Sequence, residues 1–271
     1  MPFIESFEQK DALQSPDDID GSVVFGTRLL QPIVSFELEP HRHERGQLLF
    51  ALQGALTCDV EDGLWLVPAH TALWLPPQAL HSIKASGPLE GYNVFLESKL
   101  TTELPSHPCT LAITSLVREV VARLAHFPVP YPRQGAAARL LAVLKDEISS
   151  ATIEQLNLPM PRDPRLQPLV SQLLEHPDDH SPIKVWAQRL NLSERSLARI
   201  IKADTGLSFG RWRQQWMVMI ALRQLSCGAS VKQVALELGY ESAGNFITMF
   251  RKLLGCSPSR YMARQGQAVI G

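Results

Sequence analysis

The sequence predicts a multidomain α+β protein, with an N-terminal antiparallel β-barrel carrying two helices and an all-α C-terminal domain. Three observations carry that reading. Short apolar runs broken by Gly, Pro and Asp fill residues 20–97 without a helical period, as expected of several short strands in a sandwich or barrel. Beyond residue 110 the apolar spacing becomes that of helices and, proline-rich stretches apart, stays so to Arg264. Charge divides the chain as well. Ser181 to Arg264 carries thirteen Lys and Arg against four Asp and Glu, whereas residues 1–180 carry thirteen basic and twenty-three acidic side chains.

The strand candidates are Val23–Phe25, Ile33–Leu38, Gln47–Leu52, Ala55–Val60, Ala72–Leu75 and Tyr92–Leu96. Asp62-Gly63 lies between two such runs and suits a hairpin turn. From Leu111 to Phe127 the residues Ile113, Leu116, Val117, Val120, Val121 and Leu124 fall on one helical face. Pro128-Val-Pro-Tyr-Pro132 ends that helix, because proline cannot continue the hydrogen-bond ladder. A second helix over about 135–150 lines up Leu140, Leu141, Leu144 and Ile148. These two helices either cover the barrel or pair with another subunit. Pro159, Pro161, Pro164 and Pro168, with charged residues among them, mark a linker. The expected divisions are therefore 1–105, 106–150, 151–164 and 165–271.

At 271 residues and 45% hydrophobic, the chain is long enough for one large core or two ordinary ones. A net charge of -1 conceals the basic C-terminal part, whose surplus suits contact with phosphates. Cys58, Cys109, Cys227 and Cys256 show no close spacing, the usage of reduced thiols. No run of 18 apolar residues exists, and the N-terminus (Met-Pro-Phe-Ile-Glu-Ser-Phe-Glu) is acidic rather than a signal peptide. The expectation is a soluble, cytoplasmic protein with no membrane partner.

The C-terminal part contains one device twice. The first copy runs from Ile183 to Ile201 and the second from Val231 to Phe250. Each is a short apolar helix with a central alanine (Ala187, Ala235), a polar turn, and a second helix with an exposed polar face. That is the layout of a helix-turn-helix, whose second helix enters the DNA major groove. The two units are placed at 183–204 and 231–254. Between them Phe209–Ser226 reads as one connecting helix of roughly 25–27 Å, against a DNA turn of about 34 Å.

Trp186-Ala187, Leu192-Ser193, Arg195, Leu197 and Arg199, then Thr205-Gly-Leu-Ser-Phe209 and Trp212-Arg-Gln-Gln215, and finally Val234–Ser242, Phe250-Arg-Lys252 and Gly255–Tyr261 carry a further reading. Over about a hundred residues this region resembles the AraC/XylS family of bacterial transcription regulators. The resemblance implies double-stranded DNA as partner, with RNA polymerase a second one if the chain activates. It places the groove-facing residues at Ser193, Arg195, Ser196, Arg199 and Lys202 in the first unit and at Ser242, Asn245, Thr248, Arg251 and Lys252 in the second. Arg195 and Arg199 are the base readers of first choice, since arginine can bond both acceptors of a guanine edge. Phosphate contact alone is the alternative for Arg199. The second unit offers Ala243 and Gly244 at matching positions and so reads less. Met217 stands where many relatives carry arginine, which removes a backbone contact. Ala187, Leu190, Ala235, Leu238, Phe246 and Phe250 are core residues of any such module.

The N-terminal part resembles the small cupin barrel often fused to this DNA-binding region, through His41-Arg-His43, Gln47–Phe50, Gly54 and Ala69–Ile83. The resemblance makes residues 1–105 a sensor for a small-molecule effector and 106–150 a dimerisation segment. His41, His43, Gln47, Trp74 and His81 are its candidate effector-binding residues. His41, His43 and His81 are candidate ligands of a divalent metal, the only cofactor the sequence suggests, with Gln47 in place of the customary glutamate. His41 and His43 share a face if their strand is regular. Polar barrel lining is the alternative for the histidines, and ordinary core for Trp65 and Trp74. The whole reads as a homodimeric regulator, activator or repressor, that is not an enzyme. The competing readings are a metal-dependent cupin enzyme tethered to DNA and a barrel that only dimerises.

Overall fold

The structure, a computed structural model, describes residues 3–4, 24–31, 36–60, 63–69, 71–85, 89–127, 134–154 and 156–267. Asp62 of the expected hairpin and the Pro128–Pro132 stretch lie outside these residues. Two compact units divide the chain, one drawn mainly from residues 1–157 and the other from 158–263.

In the first unit, strands β1 (Phe3–Ile4), β2 (Val24–Gln31), β3 (Phe36–His41), β4 (Gly46–Gln53), β5 (Ala55–Val60), β6 (Gly63–Pro68), β7 (Thr71–Leu75), β8 (His81–Ala85), β9 (Leu89–Leu96), β10 (Cys109–Ala112) and β11 (Ile153–Glu154) form two sheets. One runs β1-β2-β9-β4-β7-β10-β11, and the other contains the run β6-β5-β8-β3 with a fifth, short strand beside β6. Pairing is antiparallel at β2–β9, β4–β9, β4–β7, β3–β8 and β5–β8, so an all-antiparallel barrel core surrounds the centre.

Alternation along the strands divides the apolar side chains into two layers. Leu49 and Ala51 of β4, Leu73 and Leu75 of β7, and Ile83 and Ala85 of β8 join one cluster with Leu38, Leu56, Cys58 and Val60, between the sheets. Leu48 and Phe50 of β4, with Ala72 and Trp74 of β7, join a second cluster against α1 (Ser115–Leu124) and α2 (Ala136–Ser150). Those helices therefore bury Val117, Val120, Val121, Leu124, Leu144 and Ile148 on the outer face of the first sheet. Leu116 and Val143 stay exposed.

The helix expected from Leu111 starts later. Cys109–Ala112 is a strand whose Thr110 and Leu111 pair with Leu73 and Ala72 of β7. The helix opens only after Thr114, whose side chain accepts the Val117 N–H at 3.2 Å. Leu111 is fully buried as a strand residue, and an apolar residue suits the buried face of a strand or of a helix, so its place in the apolar period did not distinguish them.

After β12 (Asn157–Pro159), the second unit is helical: α3 (Gln167–Glu175), α4 (Ile183–Arg189), α5 (Glu194–Thr205), α6 (Phe209–Ser226), α7 (Val231–Glu237), α8 (Ala243–Leu254) and α9 (Pro258–Gln267). Four serines start four of these helices. Ser193, Ser208, Ser230 and Ser242 each accept the backbone N–H three residues on, a cap worth about 1 kcal/mol. The connecting helix α6 has the expected bounds and buries Trp212, Trp216, Met217, Val218 and Leu222 along its 18 residues.

Residues 158–166 are tied down rather than free. Trp212 donates its indole N–H to the Pro159 carbonyl at 2.8 Å, and the Asp204 carboxylate accepts the N–H groups of Arg162 and Asp163, each at 2.9 Å. The four cysteines are unbridged; Cys58, Cys109 and Cys256 are buried and Cys227 is exposed. Among the described residues no helix is long and apolar enough to cross a membrane.

Candidate nucleic-acid interface and barrel histidine cluster

Two helix pairs, α4–α5 and α7–α8, repeat one construction. In the first, Leu192 donates its N–H to the Ala187 carbonyl at 2.8 Å and Asn191 to Gln188 at 3.1 Å. In the second, Tyr240 donates to Ala235 and Gly239 to Leu236, both at 2.9 Å. Both turns pass through a left-handed residue, Asn191 at φ 54° and Gly239 at φ 72°. The central alanines are buried, as are Leu197 and Ile201 in one unit and Phe246 and Phe250 in the other. These are the tight turn and shared small core of a helix-turn-helix.

On α5 the expected residues form one stripe. Arg195, Arg199 and Lys202 are exposed at helical spacing, and Ser196 is half-buried beside them. Ser193 is engaged as the N-cap and also donates its hydroxyl to Ser196 Oγ at 2.9 Å. On α8 the matching stripe holds Asn245, Thr248, Arg251 and Lys252, all exposed, with both basic residues in the last turn. Ser242 is the N-cap there, and Thr248 spends its hydroxyl on the Gly244 carbonyl at 2.9 Å. The structure thus brings together the ten predicted residues as two stripes, one with its charge along the helix and one with its charge at the far end. Met217 is 2% exposed and takes the Tyr240 hydroxyl on its sulfur at 3.5 Å, so its side chain packs in the core.

A brace between the chain before α4 and the second unit was not foreseen. Asp179 accepts the Ser181 N–H and pairs with Arg189 at 2.5 Å, while Arg189 also lies over the Trp186 ring. Burial pushes the Asp179 carboxyl up, but the bonds from Ser181 and Arg189 outweigh it and hold the group at about 2. His180 Nε2 donates to the Leu238 carbonyl at 2.6 Å, and Arg213 donates to the Ser181 carbonyl at 2.5 Å.

In the barrel, His41, His43 and His81 converge. His41 and His81 are cross-strand partners of β3 and β8, with ring centroids 4.3 Å apart, and His43 and His81 are 5.2 Å apart. His41 and His43 do not reach this place on one regular strand, as expected. β3 ends at His41, and His43 sits in the turn before β4. Regular alternation from the inward Leu38 would turn His41 outward. One extra residue in β3 between Leu38 and His41 restores the inward face. The turn after β7 then pins His43, whose carbonyl accepts the Gln78 N–H at 2.9 Å.

Each imidazole donates its Nδ1–H to a backbone carbonyl: His41 to Glu39 at 2.8 Å, His43 to Arg45 at 2.7 Å, and His81 to Ala79 at 2.9 Å. The Nε2 atoms of His41 and His81 are buried without a hydrogen-bond partner, whereas His43 Nε2 is bonded to Gln47. The donor atoms of the three histidines lie within 4.8 Å of one another. Burial pushes the His81 imidazole down to about 3, against its bond to Ala79, with His41 and His43 acting in the same direction. Gln47 is fully buried with its Oε1 3.1 Å from His43 Nε2, and it donates its amide to Asn93 Oδ1 at 2.9 Å. Asn93 is a further site residue. A buried amide within the apolar run Tyr92–Leu96 was the available signal.

Trp74 does not join this group. It points to the opposite face of the sheet, fully buried against the helices, and donates to the Pro105 carbonyl at 2.8 Å. Its predicted lining role is replaced by a core one, because alternation sends Leu73 and Leu75, not Trp74, between the sheets. Trp65 is half-buried against that inner cluster.

A double helix-turn-helix joined to a small barrel defines a class of DNA-binding regulator. Residues 35–181 match the model of the AraC-like ligand binding domain and residues 186–264 that of a helix-turn-helix domain. The HTH-type transcriptional regulator NimR of Escherichia coli (strain K12) is 41% identical over 224 residues, covering 83% of this chain and 82% of that protein. The chain belongs to the AraC family of transcriptional regulators, with a ligand-binding N-terminal domain and a helix-turn-helix DNA-binding domain. The HTH-type transcriptional activator RhaS of Escherichia coli (strain SE11) is 28% identical over 178 residues, 63% of this chain and 62% of its own length. Among solved structures, ToxT from Vibrio cholerae covers 92% of this chain and 100% of that chain at 10% identity, with a TM-score of 0.37.

Proposed function

We propose that this regulator reads its operator mainly through α5 and uses α8 to hold the phosphate backbone. The observation that carries the proposal is the contrast between the stripes. Arg195 and Arg199 project, exposed, from the first two turns of α5, where a recognition helix meets base edges. The same turns of α8 offer Ala243, Gly244, Asn245 and a Thr248 hydroxyl already bonded to its own helix. Arg251 and Lys252, at the other end, suit phosphates. Ser193 and Ser242 act first as caps, and Ser196 and Lys202 flank the base-reading pair.

The exposed faces of α1 and α2, with Leu116 and Val143, form the homodimer contact in this reading. A small-molecule effector bound in the barrel near His41, His43, Gln47 and His81 shifts the dimer geometry and so the half-sites the protein occupies. The protein works in the cytoplasm, touches RNA polymerase where it activates, and catalyses no reaction.

The test is genome-wide occupancy of the tagged protein, with expression of adjacent genes followed on deletion. A few sharp sites beside one or two operons whose expression changes are expected. Absence of sites with folded protein present would overturn the reading.

A further inference from the structure

We propose that the loop at 178–181 is a clamp holding the two helix-turn-helix units at one separation and angle, with His180 as its positioning residue, and that the protein thereby selects operators by the spacing of their two groove segments. The spacing role rests on the reading above, in which α5 and α8 both lie on the operator. The clamp itself does not.

Four bonds tie the loop to three parts of the DNA-binding unit. Toward the first helix-turn-helix, the Asp179 carboxylate pairs with Arg189, the last residue of α4, at 2.5 Å, and Arg189 also donates to Ser181 Oγ at 3.2 Å. Toward the connecting helix, the half-buried Arg213 of α6 donates to the Ser181 carbonyl at 2.5 Å. Toward the second helix-turn-helix, His180 Nε2 donates to the Leu238 carbonyl at 2.6 Å. A carbonyl only accepts, so the bond fixes the hydrogen on Nε2. The His180 ring also meets Tyr240 edge-on, with centroids 5.0 Å apart.

The place of the His180 bond gives it leverage. The second unit follows α6 through a turn in which Gly228 takes φ 92°, and that turn enters α7 at Val231. Leu238 is the C-cap of α7, at the far end, ~10 Å away along the helix axis. A short helix joined to its support by one end can swing about that joint, and a bond at the other end opposes the swing. Whatever moves α7 also moves α8, because the two share one tight turn. An exposed bond from Gln224 to Glu237 ties the same end of α7 to α6, whereas the His180 bond ties it to the loop that grips the first unit.

Gly239 supports this reading independently. Both turns need a left-handed residue, and in the first unit Asn191 supplies it. In the second unit the Asp178 carbonyl packs against the turn so closely that a Cβ on Gly239 would stand 2.7 Å from its oxygen and 3.1 Å from His180 Cδ2. Left-handed φ accepts asparagine. The approach of a second backbone accepts only glycine. The turn is therefore shaped to seat the loop.

The test uses the full-length chain with nitroxides at Glu194→Cys and Lys232→Cys, exposed on α5 and α7, and with Cys227→Ser removing the exposed native thiol. Diluted with unlabelled chain and read by pulsed EPR, it should show one narrow distance distribution. His180→Ala should broaden that distribution. His180→Gln, whose amide can donate in the same place, should restore it. The second readout is fluorescence anisotropy with the operator found by genome-wide occupancy, and with the same duplex carrying one extra base pair between its two protected segments. The insertion moves the second segment by ~3.4 Å and turns it by ~35°. Wild type should lose affinity about tenfold or more, the scale of lost base contacts. His180→Ala should lose only about threefold, having already paid in weaker binding to the uninterrupted operator for a unit that must be ordered on DNA. A distribution indifferent to His180→Ala, or one that His180→Gln fails to restore, overturns the clamp. Equal insertion penalties in wild type and His180→Ala overturn the spacing role. The EPR measurement involves no DNA, so its failure leaves the operator reading of α5 and α8 standing.

Discussion

Asp204 holds Asp163 by accepting its backbone N–H at 2.9 Å, and it accepts the neighbouring Arg162 N–H with the same oxygen. Asp204 lies in the last turn of α5, the helix that carries Arg195 and Arg199. Asp163 in turn caps the single turn Pro164–Leu166 and pairs with Arg165 at 2.6 Å. The chain entering the DNA-binding unit is therefore fastened to the helix proposed to read the operator.

Replacing Asp204 with Ala leaves both N–H groups without their acceptor. Losing charge-assisted bonds of this kind costs about 1–3 kcal/mol. Denaturant unfolding of the variant should show that loss, while discrimination between operator and scrambled duplex in the still-folded protein stays unchanged. A variant as stable as wild type would mean the two N–H groups find water at no cost.

Arg195→Ala and Arg199→Ala separate base reading from phosphate contact. A bidentate arginine–guanine pair carries about 1–3 kcal/mol of discrimination. Each substitution should therefore lower operator affinity far more than affinity for unrelated duplex, measured by fluorescence anisotropy at several salt concentrations. Arg251→Ala and Lys252→Ala should instead weaken both equally and flatten the salt dependence. Equal losses from all four would show that α5 grips phosphates only.

Periodicity made the helical half legible almost to the residue, because apolar spacing marks the buried faces there and four of its helices start at a serine. The connecting helix Phe209–Ser226 and both helix-turn-helix units follow directly from that pattern. The barrel was less open to reading. Its histidines were visible as residues, but their meeting depends on a one-residue bulge before His41, which no alternation reveals. Trp74 was misplaced because both faces of β7 are buried, one by the opposing sheet and one by the helices, so alternating polarity was missing. Leu111 failed for the same reason. Asp204 acts on backbone groups about forty residues back along the chain, and such bonds leave no local signature.

The carboxyl of Asp179 gives the unit a predictable acid response. Its folded value of about 2 lies below the ordinary carboxylate value, so the charged form stabilises the fold. That contribution is fully present above about pH 4 and fades as pH falls through the folded value. Asp179→Asn should therefore be less stable than wild type at pH 7, with the difference shrinking on titration toward pH 2.5. Urea unfolding of the two proteins side by side measures it. A gap independent of pH would assign the loss to the shape of the loop rather than to its charge.

The two left-handed turn residues should respond very unequally to substitution. Gly239 sits at φ 72°, and a Cβ there would come within 2.7 Å of the Asp178 carbonyl oxygen. Gly239→Ala therefore combines the steric penalty of a left-handed alanine, about 1–2 kcal/mol, with a clash against backbone that is itself held by the His180 bond to Leu238. Asn191 at φ 54° already bears a side chain in the equivalent turn. Asn191→Gly should change stability by well under 1 kcal/mol, since asparagine tolerates this conformation nearly as well as glycine. Thermal or urea unfolding decides the matter. Equal effects at the two positions would mean that the turns, despite matching hydrogen bonds, are not equivalent in their surroundings, and that the loop at 178–180 yields rather than braces the second helix-turn-helix.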